Sequence, residues 1–156
     1  MGNFFDWSVE KTDLDLTSLE LLDRAPESIG IDLRAVRLYR LGRVRDQMVK
    51  HGIDVVILTD PVNIRYATGS RNMQIWGCRN EAARYLVLTA NRSILHEFKG
   101  SAHLNEGLET IDEVRNAVTV SHMAAGSGVA DRERSWPVDM AKLLTELVGK
   151  KATLGM

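Results

Sequence analysis

Residues 71 to 84, RNMQIWGCRNEAAR, gather Arg71, Asn72, Gln74, Trp76, Arg79, Asn80 and Arg84 into one short interval. Tryptophan offers a flat face to apolar or cationic groups, and arginine offers a forked donor set for carboxylates. Together they suit a small zwitterionic ligand or a subunit interface. The competing arrangement packs Trp76 in the core and leaves the arginines solvated. Other constellations are weaker. The histidines His51, His96, His103 and His122 are scattered, with no H-E-x-x-H and no pair at helical ligand spacing, and are expected on the surface or in a hairpin. Ser127 lies between glycines in AGSGVA, but neither the G-x-S-x-G elbow nor the lysine of a phosphate loop accompanies it, so a flexible loop is expected. Cys78 is the only cysteine and fits a small buried hydrophobe better than a nucleophile. No catalytic residue and no metal ligand is expected in this chain.

The elements that must position residues 71 to 84 come from a chain of 156 residues, 44% hydrophobic and 26% charged, enough for one core without staples. No apolar run approaches the roughly 18 residues of a membrane span, and MGNFFDWSVEKTDLDL lacks the basic start and apolar centre of a secretory leader. A cytoplasmic protein without a membrane partner is expected. A net charge of -1 argues against a nucleic-acid partner. The charge is uneven, however. Residues 1 to 32 carry Asp6, Glu10, Asp13, Asp15, Glu20, Asp23, Glu27 and Asp32, whereas residues 34 to 50 carry Arg34, Arg37, Arg40, Arg43, Arg45 and Lys50. A solvated or interface-facing basic helix beside an acidic arm is preferred over a phosphate-binding one.

Residues 1–31 read as an N-terminal arm with one short helix, signalled by Thr17-Ser18-Leu19-Glu20 and ended by Pro26. Asp32 opens a long helix to about Lys50, with Leu33, Leu41, Val44 and Met48 on one face and Arg37 interrupting it. IDVVILT reads as the central strand, covered on both faces. Next, Asp60 caps a compact helix, Pro61 takes its first position and Gly69 its left-handed stop. NMQIW is expected to be extended, and RYLVLT and SILHEF to pair across Ala90-Asn91-Arg92. ETIDEV and NAVTV are two further strand candidates, AAGSG is a loop, and a last helix starts near Ser135 with Met140, Leu143, Leu144 and Leu147 on its apolar face. KKATLGM begins like another strand, and the chain is expected to be truncated there. The order predicts an α/β fold with a mixed central sheet flanked by helices.

RLGRVRDQMVKHGIDVVILTDPVNIRYATG, followed by a Trp-bearing segment, RYLVLT and a hairpin, resembles the N-terminal domain of the creatinase and prolidase family, the pita-bread metalloenzymes. Gly52-Ile53-Asp54, Asp60-Pro61, Asn63-Ile64, Tyr66 and Thr68-Gly69 carry the likeness in fixed order, and DEVRNAVTVSHMAAG adds to it. NMQIWGCRNEAARYLVL is more similar to the creatinase-like and dimethylsulfoniopropionate-lyase-like branches than to a proline dipeptidase. The resemblance implies that residues 32–156 form a ribonuclease-H-like layer fold that precedes a separate catalytic domain. It implies a divalent metal pair in that absent domain and none in this chain. It further implies a homodimer, partnered by its own C-terminal catalytic domain, in which Trp76 and Arg79, with Asn72, reach the partner subunit's active site. Two readings follow. One is a non-catalytic dimerisation and substrate-capping domain of an Xaa-Pro peptidase, creatinase-like hydrolase or dimethylsulfoniopropionate lyase; the other is a free-standing module for a small carboxylate or zwitterion.

Overall fold

The computed structural model describes residues 30–71, 84–120 and 122–156, with the backbone alone for Met123 and Ala124. The chain divides into two compact units, Met1–Leu33 and Arg34–Met156. Among the described residues of the second unit lie nearly all of helix α1 (Leu33–Lys50), strand β1 (Val55–Leu58), helix α2 (Pro61–Thr68), and strands β2 (Tyr85–Thr89) and β3 (Ser93–Glu97). A 3-10 turn (Ala102–Asn105), strand β4 (Glu113–Asn116), short helix α3 (His122–Ala125), helix α4 (Val129–Val148) and strand β5 (Leu154–Gly155) follow. The strands form one mixed sheet in the order β4-β3-β2-β1-β5. β1, β2 and β3 run antiparallel in turn, while β4 joins β3 and β5 joins β1 in parallel. This is the mixed α/β sheet flanked by helices that the sequence predicts.

Two-residue alternation divides the apolar side chains between the faces. Leu86, Leu88 and Leu95 meet Leu41 and Met48 of α1 and Ile64 and Ala67 of α2, with Val44, Val56 and Leu58 packed alongside. On the opposite face Val55, Ile57, Tyr85, Val87 and Ile94 meet Met140 and Leu143 of α4, with Trp136, Leu144 and Leu147 alongside. Helices therefore cover both faces of the sheet. The central strand is β2, not β1. Every residue of β2 is buried, whereas β1 alternates between Val55 and Ile57, buried on the α4 face, and Val56 and Leu58, half-buried on the face of α1 and α2.

α1 is buried chiefly at Leu41 and Met48, so its C-terminal half carries the packing. Arg37, which breaks the apolar stripe, is used by an ion pair with Glu109, with Nε to Oε1 at 2.7 Å and Nη2 to Oε2 at 2.9 Å. The Arg40 guanidinium lies 5.6 Å from the centre of the Tyr66 ring, linking the exposed sides of α1 and α2.

α2 follows its local rules. Asp60 is extended, and its carboxylate accepts from the N–H groups of Val62 at 2.9 Å and Asn63 at 3.0 Å, so two orphan donors of the first turn are satisfied. Gly69 stops the helix at φ 76°, and its N–H donates to the Arg65 carbonyl at 2.7 Å. A methyl group on Gly69 would meet the Cδ and Cγ of Arg37 as well as strain the backbone. Gly69→Ala is therefore expected to cost about 1–2 kcal/mol, measured by urea denaturation; an unchanged midpoint would contradict this reading of the turn.

The hairpin closes as expected, with Tyr85 opposite His96 and Leu88 opposite Ser93, and the Thr89 N–H donates to the Arg92 carbonyl at 2.8 Å. Three further expectations are corrected. ETIDEV and NAVTV do not give two strands, because the backbone pairs only over Glu113–Asn116, across their junction. AAGSG is not an open loop: Gly126–Gly128 form a 3-10 turn that carries α3 into α4. α4 starts at Val129 rather than Ser135, which leaves Pro137 inside the helix. Its missing N–H falls on a solvent-facing side, where the freed carbonyl can bond to water.

Candidate functional site

The segment singled out by composition lies between two positions that the fold holds together. α2 ends at Gly69 and delivers Ser70, while Arg84 immediately precedes β2. Glu97 ends β3 on the face that meets α1 and α2, and the 3-10 turn brings in Asn105. Arg84 donates from Nε to Glu97 Oε2 at 2.7 Å, and Asn105 Nδ2 donates to the same oxygen at 3.0 Å. The other carboxylate oxygen accepts from the Phe98 N–H at 2.9 Å. Arg84 Nη2 also donates to the Ser70 hydroxyl, which in turn donates to Asn105 Oδ1.

Thr68 extends this network. Its hydroxyl accepts from the Ser70 N–H at 3.1 Å and donates to the Ile64 carbonyl at 2.7 Å, and the Thr110 hydroxyl donates to the Thr68 carbonyl. Ser70, Arg84, Glu97, Asn105, Thr68 and Thr110 are all buried. A buried ion pair recovers its desolvation cost only when good geometry and further hydrogen bonds satisfy its charges, and those conditions are met here. The Ser70 hydroxyl is occupied on both sides, by Arg84 and Asn105, so the arrangement is a structural clamp rather than a nucleophile with its base.

The clamp joins Ser70 to Arg84, which stand on either side of residues 72–83 in the sequence. Asn72, Trp76 and Arg79 lie outside the described residues, as do Cys78, the expected extension NMQIW and residues 1–29 of the arm. The residues that sequence reasoning missed are Ser70, Glu97 and Asn105, and Arg84 as a buried partner rather than a surface one. The available signal was Glu97 itself, a carboxylate in an otherwise uncharged strand, Ser93–Glu97, whose five residues are all buried.

Nearby, Arg37 holds the Glu109 carboxyl below its usual range through their hydrogen bonds, only partly opposed by desolvation. At the outer edge of the sheet, Glu113 is held down by its hydrogen bond to Arg115, with Nε to Oε1 at 2.6 Å. Among the described residues no three His, Cys, Asp or Glu side chains come together to hold a metal ion. No described helix is long and apolar enough to cross a membrane.

The family model described as the Creatinase/Prolidase N-terminal domain matches residues 40–156. The chain belongs to this family. As a creatinase/prolidase N-terminal domain it is similar to the dimethylsulfoniopropionate lyase DddP of Roseobacter denitrificans, 33% identical over 98 residues that cover 63% of this chain and 22% of the relative. It is also similar to DddP of Roseovarius nubinhibens, 27% identical over 125 residues, 80% of this chain and 28% of the relative. The chain thus spans about a quarter of the length of these curated relatives. Among solved structures, an Xaa-Pro aminopeptidase from Streptococcus pyogenes aligns with a TM-score of 0.48 and 22% identity, over 79% of this chain and 92% of that one. The corresponding enzyme from Streptococcus thermophilus aligns with a TM-score of 0.42 and 16% identity, over 76% of this chain and 90% of that one.

Proposed function

We propose that this chain is the non-catalytic N-terminal domain of a metal-dependent lyase of the dimethylsulfoniopropionate-lyase type, where it dimerises the enzyme and caps its substrate site. In this reading Trp76 and Arg79, with Asn72, contact substrate bound in the catalytic domain of the partner subunit, in the cytoplasm. The likeness to two dimethylsulfoniopropionate lyases supports the choice of lyase over peptidase. The observation that carries the capping role is the buried hydrogen bond between Arg84 and Ser70, residues that flank the proposed capping segment in the sequence. A segment that must reach a neighbouring site benefits from fixed ends, because positioning a contact beforehand avoids an ordering cost on binding.

The test is kinetic, in the enzyme carrying both domains. Trp76→Ala is expected to lower kcat/KM by about tenfold, equivalent to about 1.4 kcal/mol of transition-state stabilisation, while the melting temperature stays unchanged. Full activity in that variant would remove the capping role and leave dimerisation alone.

A further inference from the structure

β4 closes the sheet at the end away from β5, and among the described residues no strand lies beyond it. The hairpin fixes which way its peptide groups point. The Thr89 N–H donates to the Arg92 carbonyl, so the pairs of β2 and β3 that exchange hydrogen bonds are Val87 with Ile94 and Tyr85 with His96. Ser93, Leu95 and Glu97 therefore turn their peptide groups toward β4. The Ala117 N–H donates to the Glu97 carbonyl at 2.7 Å, and by the same alternation Glu113 and Arg115 bond to β3. The N–H and C=O groups of Val114 and Asn116 then point away from the sheet.

Two opposite charges flank Val114 on one side of the strand. Arg115 donates to Glu113 from Nε to Oε1 at 2.6 Å and from Nη2 to Oε2 at 3.2 Å, and Arg92 Nη2 reaches Glu113 Oε2 at 3.2 Å. All three side chains are more than a third exposed. Charges on an edge strand discourage pairing with other chains. Charges of alternating sign, however, leave one register open. With a two-fold axis at Val114, antiparallel pairing of β4 with β4 of a second copy sets Val114 against Val114, where two hydrogen bonds are exchanged. Glu113 of each copy then lies opposite Arg115 of the other, in the pairs without hydrogen bonds, where side chains approach most closely. Moving the axis by one residue sets Arg115 against Arg115 or Glu113 against Glu113, and like charges directly opposite are destabilising.

We propose that β4 is a self-pairing edge, through which two copies of this chain join their five-stranded sheets into one. Backbone groups supply the contact, and the Glu113 and Arg115 charges choose its register. The contact is isologous, with the same patch used by both copies. It rests on the dimerising role proposed above and names the surface for it; residues 72–83 take no part.

The test is sedimentation equilibrium of the complete 156-residue chain at concentrations up to about 1 mM, since an edge of this length forms a small interface. The chain is expected to dimerise reversibly. Glu113→Arg and Arg115→Glu are each expected to weaken the dimer at least about tenfold, because like charges then face one another across the axis. An equal mixture of the two variants regains opposite charges at both pairs and is expected to associate about as tightly as the unsubstituted chain. The double variant Glu113→Arg/Arg115→Glu is expected to do the same, and it keeps the ion pair within each strand, which separates lost association from lost folding. Failure of the mixture and the double variant to recover, or a dimer indifferent to both single changes, would overturn the edge pairing and leave the dimerising role to another surface. A chain monomeric throughout would overturn it as well, and the native mass of the enzyme carrying both domains then decides the dimerising role separately.

Discussion

Arg84→Met is expected to destabilise the domain by about 3–5 kcal/mol, because it strips the Glu97 carboxylate of its counter-charge inside the protein. Glu97 is 1% exposed and cannot turn to water for compensation. Asn105 and the Phe98 N–H would still donate to it, so the loss reflects missing charge more than missing hydrogen bonds. The double variant Arg84→Met/Glu97→Leu removes both charges and is expected to recover most of the stability, since a buried pair replaced by apolar groups is often neutral. Urea denaturation of the two variants distinguishes these cases. If Arg84→Met alone were mild, the ion pair would not hold residues 70 and 84 together, and the proposed capping segment would lose its fixed base.

The second large effect depends on pH. His96 has a folded-state pKa of about 4 against an ordinary 6.5, so the unfolded chain takes up the proton first as the solution is acidified. Stability is fully present above pH 6.5, falls as the pH drops below it, and levels off near the folded value after a loss of about 3 kcal/mol. The depressed carboxylates Glu109 and Glu113 add their own losses only below their usual value of 4.5, so among the described residues with shifted values the interval above that belongs to the histidine. His96→Phe keeps an aromatic ring against Tyr85 and removes the titration. Denaturation midpoints at about pH 7.5 and about pH 5 are expected to differ clearly for the unsubstituted chain and little for His96→Phe. Equal pH dependence in both would show that His96 is hydrated in the folded state.

The parts of this fold legible in the sequence are those governed by neighbours along the chain. Asp60, Pro61 and Gly69 are specified within ten residues, and the structure places each in its expected role. The hairpin of β2 and β3 is equally local. What failed depends on contacts distant in sequence. The apolar run of β1 resembles a central strand, but centrality is decided by which strand lies beyond it, and β5 is short. The start of α4 was misplaced because proline is favoured in a first turn, although an exposed side of a longer helix also tolerates it. Ser70, Arg84, Glu97 and Asn105 are individually ordinary polar residues, and only the meeting of α2, β2, β3 and the 3-10 turn makes them one buried network. His96 does fall in the hairpin, but the helix that buries it comes from much later in the chain.

Asp54 accepts a hydrogen bond through its carboxylate from the N–H of Thr153, 99 positions later, at the point where β5 joins β1. A ribosome adds about 5–20 residues per second, so β1 waits on the order of 5–20 seconds for this neighbour after it has itself been made. During that interval one edge of β1 presents unpaired amide and carbonyl groups beside Val55 and Val56, a template for any other extended chain. The order of synthesis thus leaves the nascent domain most prone to mispairing on this side, and rapid closure of the β1–β2–β3 antiparallel ribbon cannot protect it. Slower translation, which lengthens this interval, is therefore expected to lower the yield of folded protein.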